Sequence, residues 1–232
     1  MESIKGKGMY NDKTNKELSE LLEQHHMLTF ESQIQLSEEL GKRNLKTEKK
    51  ILDETIAQKI AQIKNLDYLK DFGFVAEFNN GGVVVTRTTK AVVTDIIAIF
   101  AGFIVFLIGV YGIASLISVF INGEDMNVFS LAIDLVMASL VLTGFKFFNG
   151  IKRLLDYSGF KLSNFEGMIT LQKRFDLKLE QIKEKASELF LETQEDRMVL
   201  KLGDRPIFNS SVENIVQRMT LQELANVLRK EG

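Results

Sequence analysis

Two apolar stretches decide the fold: Val93-Thr-Asp-Ile-Ile-Ala-Ile-Phe-Ala-Gly-Phe-Ile-Val-Phe-Leu-Ile-Gly-Val-Tyr-Gly-Ile-Ala-Ser-Leu-Ile-Ser-Val-Phe-Ile121 and, after a short polar break, Val128-Phe-Ser-Leu-Ala-Ile-Asp-Leu-Val-Met-Ala-Ser-Leu-Val-Leu-Thr-Gly-Phe-Lys-Phe-Phe148. A helix needs about 20 mostly apolar residues to cross a hydrocarbon core about 30 Å thick, and each stretch is long enough. The sequence therefore predicts a transmembrane helical hairpin over residues 93–148.

The composition excludes several classes of protein. The 232 residues carry 29 Lys and Arg against 31 Asp and Glu, so the net charge is −2 and no nucleic-acid partner is expected. The chain has no cysteine, no Walker loop and no G-x-S-x-G motif. His25 and His26 are adjacent and point to different helix faces, which favours solvated side chains over a metal site. We therefore expect a protein that is not an enzyme and holds no cofactor or metal.

The N-terminal segment, residues 1–45, is predicted to form a helical hairpin. Thr14-Asn-Lys-Glu17 is a capping-box pattern that opens the first helix. Thr29 is expected to begin the second helix, and Gly41 is expected to end it.

This hairpin resembles a known sequence motif. The residues concerned are Glu17-Leu-Ser-Glu-Leu-Leu-Glu-Gln24, Leu28-Thr-Phe-Glu-Ser32 and Leu36-Ser-Glu-Glu-Leu-Gly-Lys-Arg-Asn-Leu45. They are similar to a two-helix segment, about residues 14–45 here, that recurs at the N-termini of otherwise unrelated, mostly uncharacterised bacterial membrane proteins. That segment usually contains Tyr/Phe-Thr-Pro-Glu-Ala, and this chain lacks the Pro and the Ala. The resemblance implies a bacterial, membrane-associated protein and implies no activity.

Residues 46–92 are expected to contain an amphipathic helix followed by a β-hairpin. Apolar residues recur every three or four positions from Thr47 to Phe72, which predicts a helix packed in the core or along a self-association seam. Residues 74–88 then have strand character, and Asn79-Asn-Gly-Gly82 suits a tight turn. A phosphate-binding loop is the other interpretation of these glycines, but the G-x-x-x-x-G-K-[ST] pattern is absent.

Residues 149–232 predict a small α+β module closed by a helix. Alternating stretches, among them Met168–Leu171 and Phe175–Leu179, predict four to six strands, including a hairpin that turns at Gln194-Glu-Asp196. Two capping-box patterns follow, Ser210-Ser-Val-Glu213 and Thr220-Leu-Gln-Glu223.

The whole chain is therefore expected to be an α+β membrane protein with a two-helix transmembrane hairpin. Its four segments are residues 1–45, 46–92, 93–148 and 149–232. The order of a transmembrane hairpin, antiparallel strands and a terminal helix resembles bacterial pleckstrin-homology-like membrane proteins. If the 74–88 hairpin joins the later strands in one sheet, the apolar helices are an insertion into a single cytoplasmic domain.

The charges around the apolar stretches predict their orientation. The connecting loop, residues 122–127, contains no Lys or Arg, whereas basic residues lie at the opposite ends: Arg87, Lys90, Lys146, Lys152, Arg153 and Lys161. The positive-inside rule therefore predicts a multi-pass membrane protein with both termini in the cytoplasm. Together with what the N-terminal resemblance implies, the expected location is the bacterial inner membrane. Lys146, Lys152 and Arg153 are expected to anchor the hairpin at the interface, where anionic lipid headgroups lie.

Small residues in both stretches predict close helix packing. They are Ala98, Gly102, Gly109, Gly112, Ala138, Ser139, Thr143 and Gly144. The two helices are expected to pack on each other. The small residues outside that contact are expected to pack against a membrane protein partner or a second copy of the chain.

Asp134 is the one ionisable side chain predicted to lie well inside an apolar stretch. In an antiparallel hairpin it lies near the level of Tyr111, Ser115 and Ser118, which share one helix face. The favoured interpretation is that Asp134 forms a hydrogen-bonded clamp between the helices. The alternatives are a carboxylate that couples to proton or ion movement and a residue near the interface with no functional consequence. The chain is thus expected to be a non-enzymatic scaffold, adaptor or accessory subunit, with a transport or ion-coupling subunit using Asp134 as the alternative.

Overall fold

The computed structural model describes residues 9–79, 82–122, 127–176 and 178–230. Over these residues the chain is α+β, with two long apolar helices and antiparallel sheets. It divides into two compact units: Met1–Leu69 with Glu184–Glu231 form the first, and Lys70–Lys183 form the second.

The helices and strands follow in this order along the chain: α1 (Asn15–Glu23), α2 (Phe30–Lys42), α3 (Lys46–Lys64), β1 (Phe74–Asn79), β2 (Gly82–Arg87), α4 (Thr89–Asn122), α5 (Val128–Gly144), α6 (Phe147–Asp156), β3 (Lys161–Phe165), β4 (Met168–Phe175), β5 (Lys178–Lys185), β6 (Leu189–Gln194), β7 (Arg197–Leu202), β8 (Arg205–Ser211) and α7 (Ile215–Arg229). Short 3-10 helices lie at His25–Met27, Asp67–Phe72 and Ala186–Glu188.

The second unit is built on a five-stranded sheet in the order β1-β2-β3-β4-β5. The hairpin of β1 and β2 pairs with β3, so that Val85 lies opposite Leu162. One face of the sheet is apolar and buried, as Val83, Val85 and Ile169 show. The predicted 74–88 hairpin therefore joins strands from the far side of the apolar helices, and α4, α5 and α6 are inserted between the neighbouring strands β2 and β3.

The first inserted helix is longer than its apolar stretch, whereas the second stretch is divided between two helices. The 34 residues of α4 make a helix of about 50 Å. The second stretch was expected to be one helix to Phe148, but α5 ends at Gly144 and α6 carries the chain on to Asp156. Residues Thr89–Val119 and Val128–Asp156 are each long and apolar enough to cross a membrane, by length and composition.

The first unit combines α1, α2, α3 and α7 with a three-stranded antiparallel sheet in the order β6-β7-β8. Leu18, Leu36, Leu40 and Leu52 form a fully buried cluster among the N-terminal helices. The hairpin predicted to turn at residues 194–196 is β6 and β7. The strands predicted between residues 160 and 202 are therefore shared between two sheets.

At the ends of the N-terminal helices, one local expectation is confirmed and one is wrong. The capping box of Thr14 and Glu17 forms, with the Thr14 amide donating to Glu17 Oε2 at 2.7 Å. Gly41, however, lies inside α2, and Asn44 takes the left-handed conformation (φ 59°) after the last turn. Asn tolerates this conformation because its short polar side chain hydrogen-bonds locally.

The region after β3 also differs from the prediction. The strand expected over Phe175–Leu179 is interrupted, because the chain turns at Asp176 with φ 48°. The two C-terminal capping boxes do not form. A single helix, α7, is capped by Asn214, and Thr220 lies inside it with its hydroxyl donating to the Val216 carbonyl at 2.7 Å. A hydroxyl bonded to the preceding turn is satisfied without ending the helix.

Candidate functional site

Asp134 contacts the neighbouring apolar helix. Its side chain on α5 is 8% exposed, and Ser115 Oγ on α4 donates a hydrogen bond to Asp134 Oδ2 at 2.9 Å. Tyr111 points outward and is 67% exposed, while Ser118 Oγ accepts a hydrogen bond from Asn122. Over the residues that the structure describes, Ser115 is the one of the three predicted hydroxyls that reaches Asp134.

The glycines of the hairpin lie where the helices approach most closely. A Cβ added to Gly109 would lie 2.4 Å from the backbone nitrogen of Val141, and one on Gly144 would lie 2.6 Å from the Cα of Phe106. The other glycines in similarly close contact are Gly102 and Gly112. A Cβ at such distances would force neighbouring atoms to shift, so these positions favour glycine.

Of the other predicted packing residues, Ala138 lies at the contact, since a Cβ added to Gly112 would lie 2.7 Å from its backbone nitrogen, whereas three lie elsewhere on the helices. Ala98, Ser139 and Thr143 are exposed and face away from the contact between α4 and α5. The Ser139 hydroxyl donates to the Val136 carbonyl of its own helix at 2.6 Å. These three residues therefore belong to the outer surface of the hairpin.

A buried ion-pair cluster lies where the helices leave the sheet. Asp95, in the second turn of α4, is 2% exposed. Arg87, the last residue of β2, donates from Nη2 to Asp95 Oδ2, and Arg153 on α6 donates from Nη2 to Asp95 Oδ1. We call these three residues the junction.

Arg87 makes further contacts within the junction. Its Nη1 lies 3.3 Å from the carbonyl oxygen of Arg153 and 3.4 Å from that of Leu154. The Arg153 carbonyl oxygen also accepts from the Tyr157 amide at 3.2 Å, and the guanidinium adds a side-chain donor at this last turn, so it helps to cap the end of α6. One side chain on β2 thereby holds both the beginning of the insertion, through Asp95, and its end.

Sequence reasoning placed Arg87 and Arg153 among the orientation and anchor charges and did not select Asp95. Arg153 was predicted to be an interface anchor; its side chain is 58% exposed, and it pairs with Asp95. Lys146 and Lys152 are exposed. The available signal was Asp95 itself, since it is the one charged residue in the first apolar stretch.

An aromatic cluster lies beside the junction. The ring of Tyr157 lies 5.1 Å from that of Phe74 and 5.6 Å from that of Phe160, measured between centroids. The Lys173 ammonium lies 4.8 Å from the Tyr157 centroid, and the Arg87 guanidinium lies 5.7 Å from it. Cations over an aromatic face at these distances are attracted by the ring quadrupole.

Burial shifts the pKa values of these groups. It raises the pKa of the Tyr157 hydroxyl and lowers the pKa of Lys173, and Asp156 raises both. Burial lowers the pKa of Arg87, and the nearby charge of Arg153 lowers it further. The junction and the aromatic cluster together carry more positive than negative charges. The cations are Arg87, Arg153 and Lys173, and the carboxylates are Asp95 and Asp156.

Glu39 and Arg43 have a structural role in the first unit. Arg43 Nε donates to Glu39 Oε1 at 2.8 Å, and this hydrogen bond holds the pKa of Glu39 below its usual value. The two Nη atoms of Arg43 reach the carbonyl oxygens of Lys13 at 2.6 Å and Asn11 at 2.9 Å. Arg43, held by Glu39, therefore fastens the segment before α1 onto α2.

The two histidines make no metal site in the part of the chain that the structure describes. His25 Nδ1 lies 2.8 Å from the Leu22 carbonyl oxygen, and His26 is exposed. Among the described residues, no group of three potential ligands is placed to hold a metal ion. An open cavity of about 460 Å³ in the first unit lies at the beginnings of α2 and α7, where Thr29 and Asn214 already cap their own helices.

Comparisons with protein-family models, curated proteins and solved structures found no match. The resemblances of residues 14–45 and of the C-terminal strands therefore stay predictions, and a function has to be argued from the geometry described above.

Proposed function

We propose that this protein is a non-enzymatic scaffold, adaptor or accessory subunit of the bacterial inner membrane, held there by α4 and α5 with its soluble mass in the cytoplasm. One observation carries the proposal. The apolar helices cover each other along one face only, and 11% of the residues in each apolar window are buried within the chain.

The uncovered surface is large and apolar. Ile97, Phe100 and Leu142 are 63%, 69% and 77% exposed. Each Å² of apolar surface left in water costs about 25 cal/mol, so helices of this length require an apolar environment. A lipid bilayer provides one along the whole length of both helices. The core helix of a soluble protein, in contrast, is mostly buried within its own chain.

The topology of the sheet supports a hairpin that crosses the membrane twice. α4 follows β2, and α6 leads back to β3, which pairs with β2 so that Thr86 lies opposite Lys161. Both ends of the insertion thus meet at one end of two hydrogen-bonded strands. They belong on the same side of a membrane, and the lack of Lys and Arg in the connecting loop favours the cytoplasmic side.

The polar groups of the hairpin favour a structural role over ion transport. Asp134 accepts a hydrogen bond from Ser115, and Asp95 accepts from two arginines. Carboxylates held in this way join neighbouring helices and strands. A transport or ion-coupling subunit using Asp134 is the alternative, and it requires the carboxylate to titrate.

Single-cysteine labelling tests the membrane topology, and the chain without cysteine is a ready background. Asn127, Lys178 and Ser187 are exposed and are each replaced by cysteine in a separate variant. In intact spheroplasts, a membrane-impermeant maleimide should label Asn127→Cys. Lys178→Cys and Ser187→Cys should react only after permeabilisation. Labelling of all three in intact spheroplasts would contradict the proposed orientation.

The scaffold role is tested by purification of the full chain in a mild detergent, followed by mass spectrometry and a mass measurement of the intact complex. A stoichiometric membrane protein partner, or a defined oligomer of the chain, is the expected result. A chain that is monomeric and alone after crosslinking in the membrane would contradict this role.

A further inference from the structure

We propose that the junction binds the phosphate of an anionic phospholipid of the cytoplasmic leaflet, and that Arg153 is the residue that contacts it. This inference rests on the proposed membrane location and adds a lipid class and a binding residue to it.

The first argument is the charge of the junction. Two guanidinium groups share the single carboxylate of Asp95. The side chains of Arg87 and Asp95 are 8% and 2% exposed, so they form the buried pair, whereas the side chain of Arg153 is 58% exposed. One positive charge is therefore left over, and it lies on the exposed arginine.

The second argument is the position of Arg153 along the helices. Asp95, its partner, directly precedes Ile96 and Ile97, which are 47% and 63% exposed. From Ile96 to Ile121 the helix contains no charged residue and is about 39 Å long, which spans a bilayer core with some tilt. Asp95 and Arg153 thus lie at the end of the apolar surface, where lipid phosphates meet the hydrocarbon.

The third argument is the geometry of the guanidinium group. Arg153 uses Nη2 for Asp95, and over the described residues its Nε and Nη1 make no hydrogen bond in the structure. A guanidinium presents its donors in a planar fork that matches two phosphate oxygens. Asp95 fixes the orientation of this fork, and the exposed Lys152 beside it adds a second positive charge.

The test uses the full chain in nanodiscs of phosphatidylcholine, with and without phosphatidylglycerol, and counts retained lipids by native mass spectrometry. The wild-type chain should retain phosphatidylglycerol in preference to phosphatidylcholine. Arg153→Gln should reduce this preference about fivefold, the effect of one basic residue at an anionic surface. Arg153→Lys keeps the charge without the fork and should show an intermediate preference. The fold survives Arg153→Gln, since Asp95 keeps Arg87 as its partner.

Lys178→Gln is the matched control, because it removes one exposed positive charge from β5. It should leave the preference unchanged. An unchanged preference in Arg153→Gln, or an equal loss in Lys178→Gln, would overturn the inference. Displacement of phosphatidylglycerol by millimolar inorganic phosphate would show a site for free phosphate and would also overturn it. Entry into nanodiscs without a lipid preference refutes this inference alone, whereas failure to enter either nanodisc refutes the membrane location as well.

Discussion

Replacement of Asp95 by Asn should destabilise the protein more than any other conservative change in the junction. The variant removes the negative charge and keeps the shape of the side chain. Arg87 then stays buried without a counter-ion and beside a second guanidinium group. Removal of one partner from a buried ion pair typically costs about 3–5 kcal/mol, and we expect Asp95→Asn to lie near the lower end because the amide oxygen still accepts one hydrogen bond.

The exposed partner provides the internal comparison. Arg153→Gln leaves the buried pair intact, and its 58% exposed side chain is already largely solvated. Partly exposed pairs contribute about 0–1 kcal/mol, so this variant should be close to wild type in stability. The double variant Arg87→Met/Asp95→Leu should recover part of the loss from Asp95→Asn, since it leaves no unpaired buried charge.

The assay is unfolding of the full chain in mixed micelles with increasing sodium dodecyl sulfate, followed by far-UV circular dichroism. Stabilities are compared at the midpoint of the transition. A loss below about 1 kcal/mol for Asp95→Asn would refute the reasoning, because it would place the pair among solvent-exposed ion pairs. A loss in Arg153→Gln as large as that in Asp95→Asn would refute it too.

Three further predictions concern the hairpin and the first unit. Gly109→Ala should lower stability by about 1–3 kcal/mol through overpacking against α5, whereas Gly150→Ala, whose nearest atom is a side-chain carbon at 3.1 Å, should change it much less in the same assay. Ser115→Ala should cost about 1–3 kcal/mol by leaving a buried carboxylate without its donor, while Asp134→Asn should preserve stability, assembly and cellular function. Glu39→Gln should lose less stability than the wild-type chain between about pH 5 and pH 3, as measured by thermal unfolding. The pKa of Glu39 is lowered in the folded state, so its stabilising contribution is present above the ordinary carboxyl pKa and is lost as the pH falls through the lowered pKa.

Each of these predictions has an outcome that contradicts it. Equal losses in the two glycine variants would show that helix separation is not set by Gly109. Normal assembly with lost function in Asp134→Asn would favour the ion-coupling alternative over the clamp. A pH profile of Glu39→Gln that matches the wild-type profile would mean that other carboxylates determine the acid sensitivity.

Local patterns in the sequence were enough for the individual helices and hairpins. The apolar stretches predicted most of α4 and all of α5, because run length and hydropathy need no knowledge of the rest of the chain. The capping box of Thr14 and the β6–β7 hairpin were found for the same reason, since their partners lie within a few residues. The capping boxes expected at Ser210 and Thr220 failed because the same residue types also suit a strand or a helix interior.

The candidate site was only partly predictable. Asp134 and Ser115 were paired in advance because an antiparallel hairpin with a known turn fixes which residues share a level. The junction was not predicted, because Arg87 and Asp95 precede the connecting loop of the hairpin in the sequence and Arg153 follows the hairpin. The pairing of Arg153 with Asp95 spans 58 residues, and no local pattern encodes such a contact.

The sequence by itself determined that this chain has two helices suited to a membrane, and the distribution of Lys and Arg predicted their direction. Only the tertiary structure decided that β2 pairs with β3 across the inserted helices, that β6–β8 form a separate sheet, and that Asp95 is shared by two arginines. The physical reason is the range of the interactions. Hydropathy and capping act within a helix or a turn, whereas strand pairing and buried ion pairs depend on which distant segments pack together.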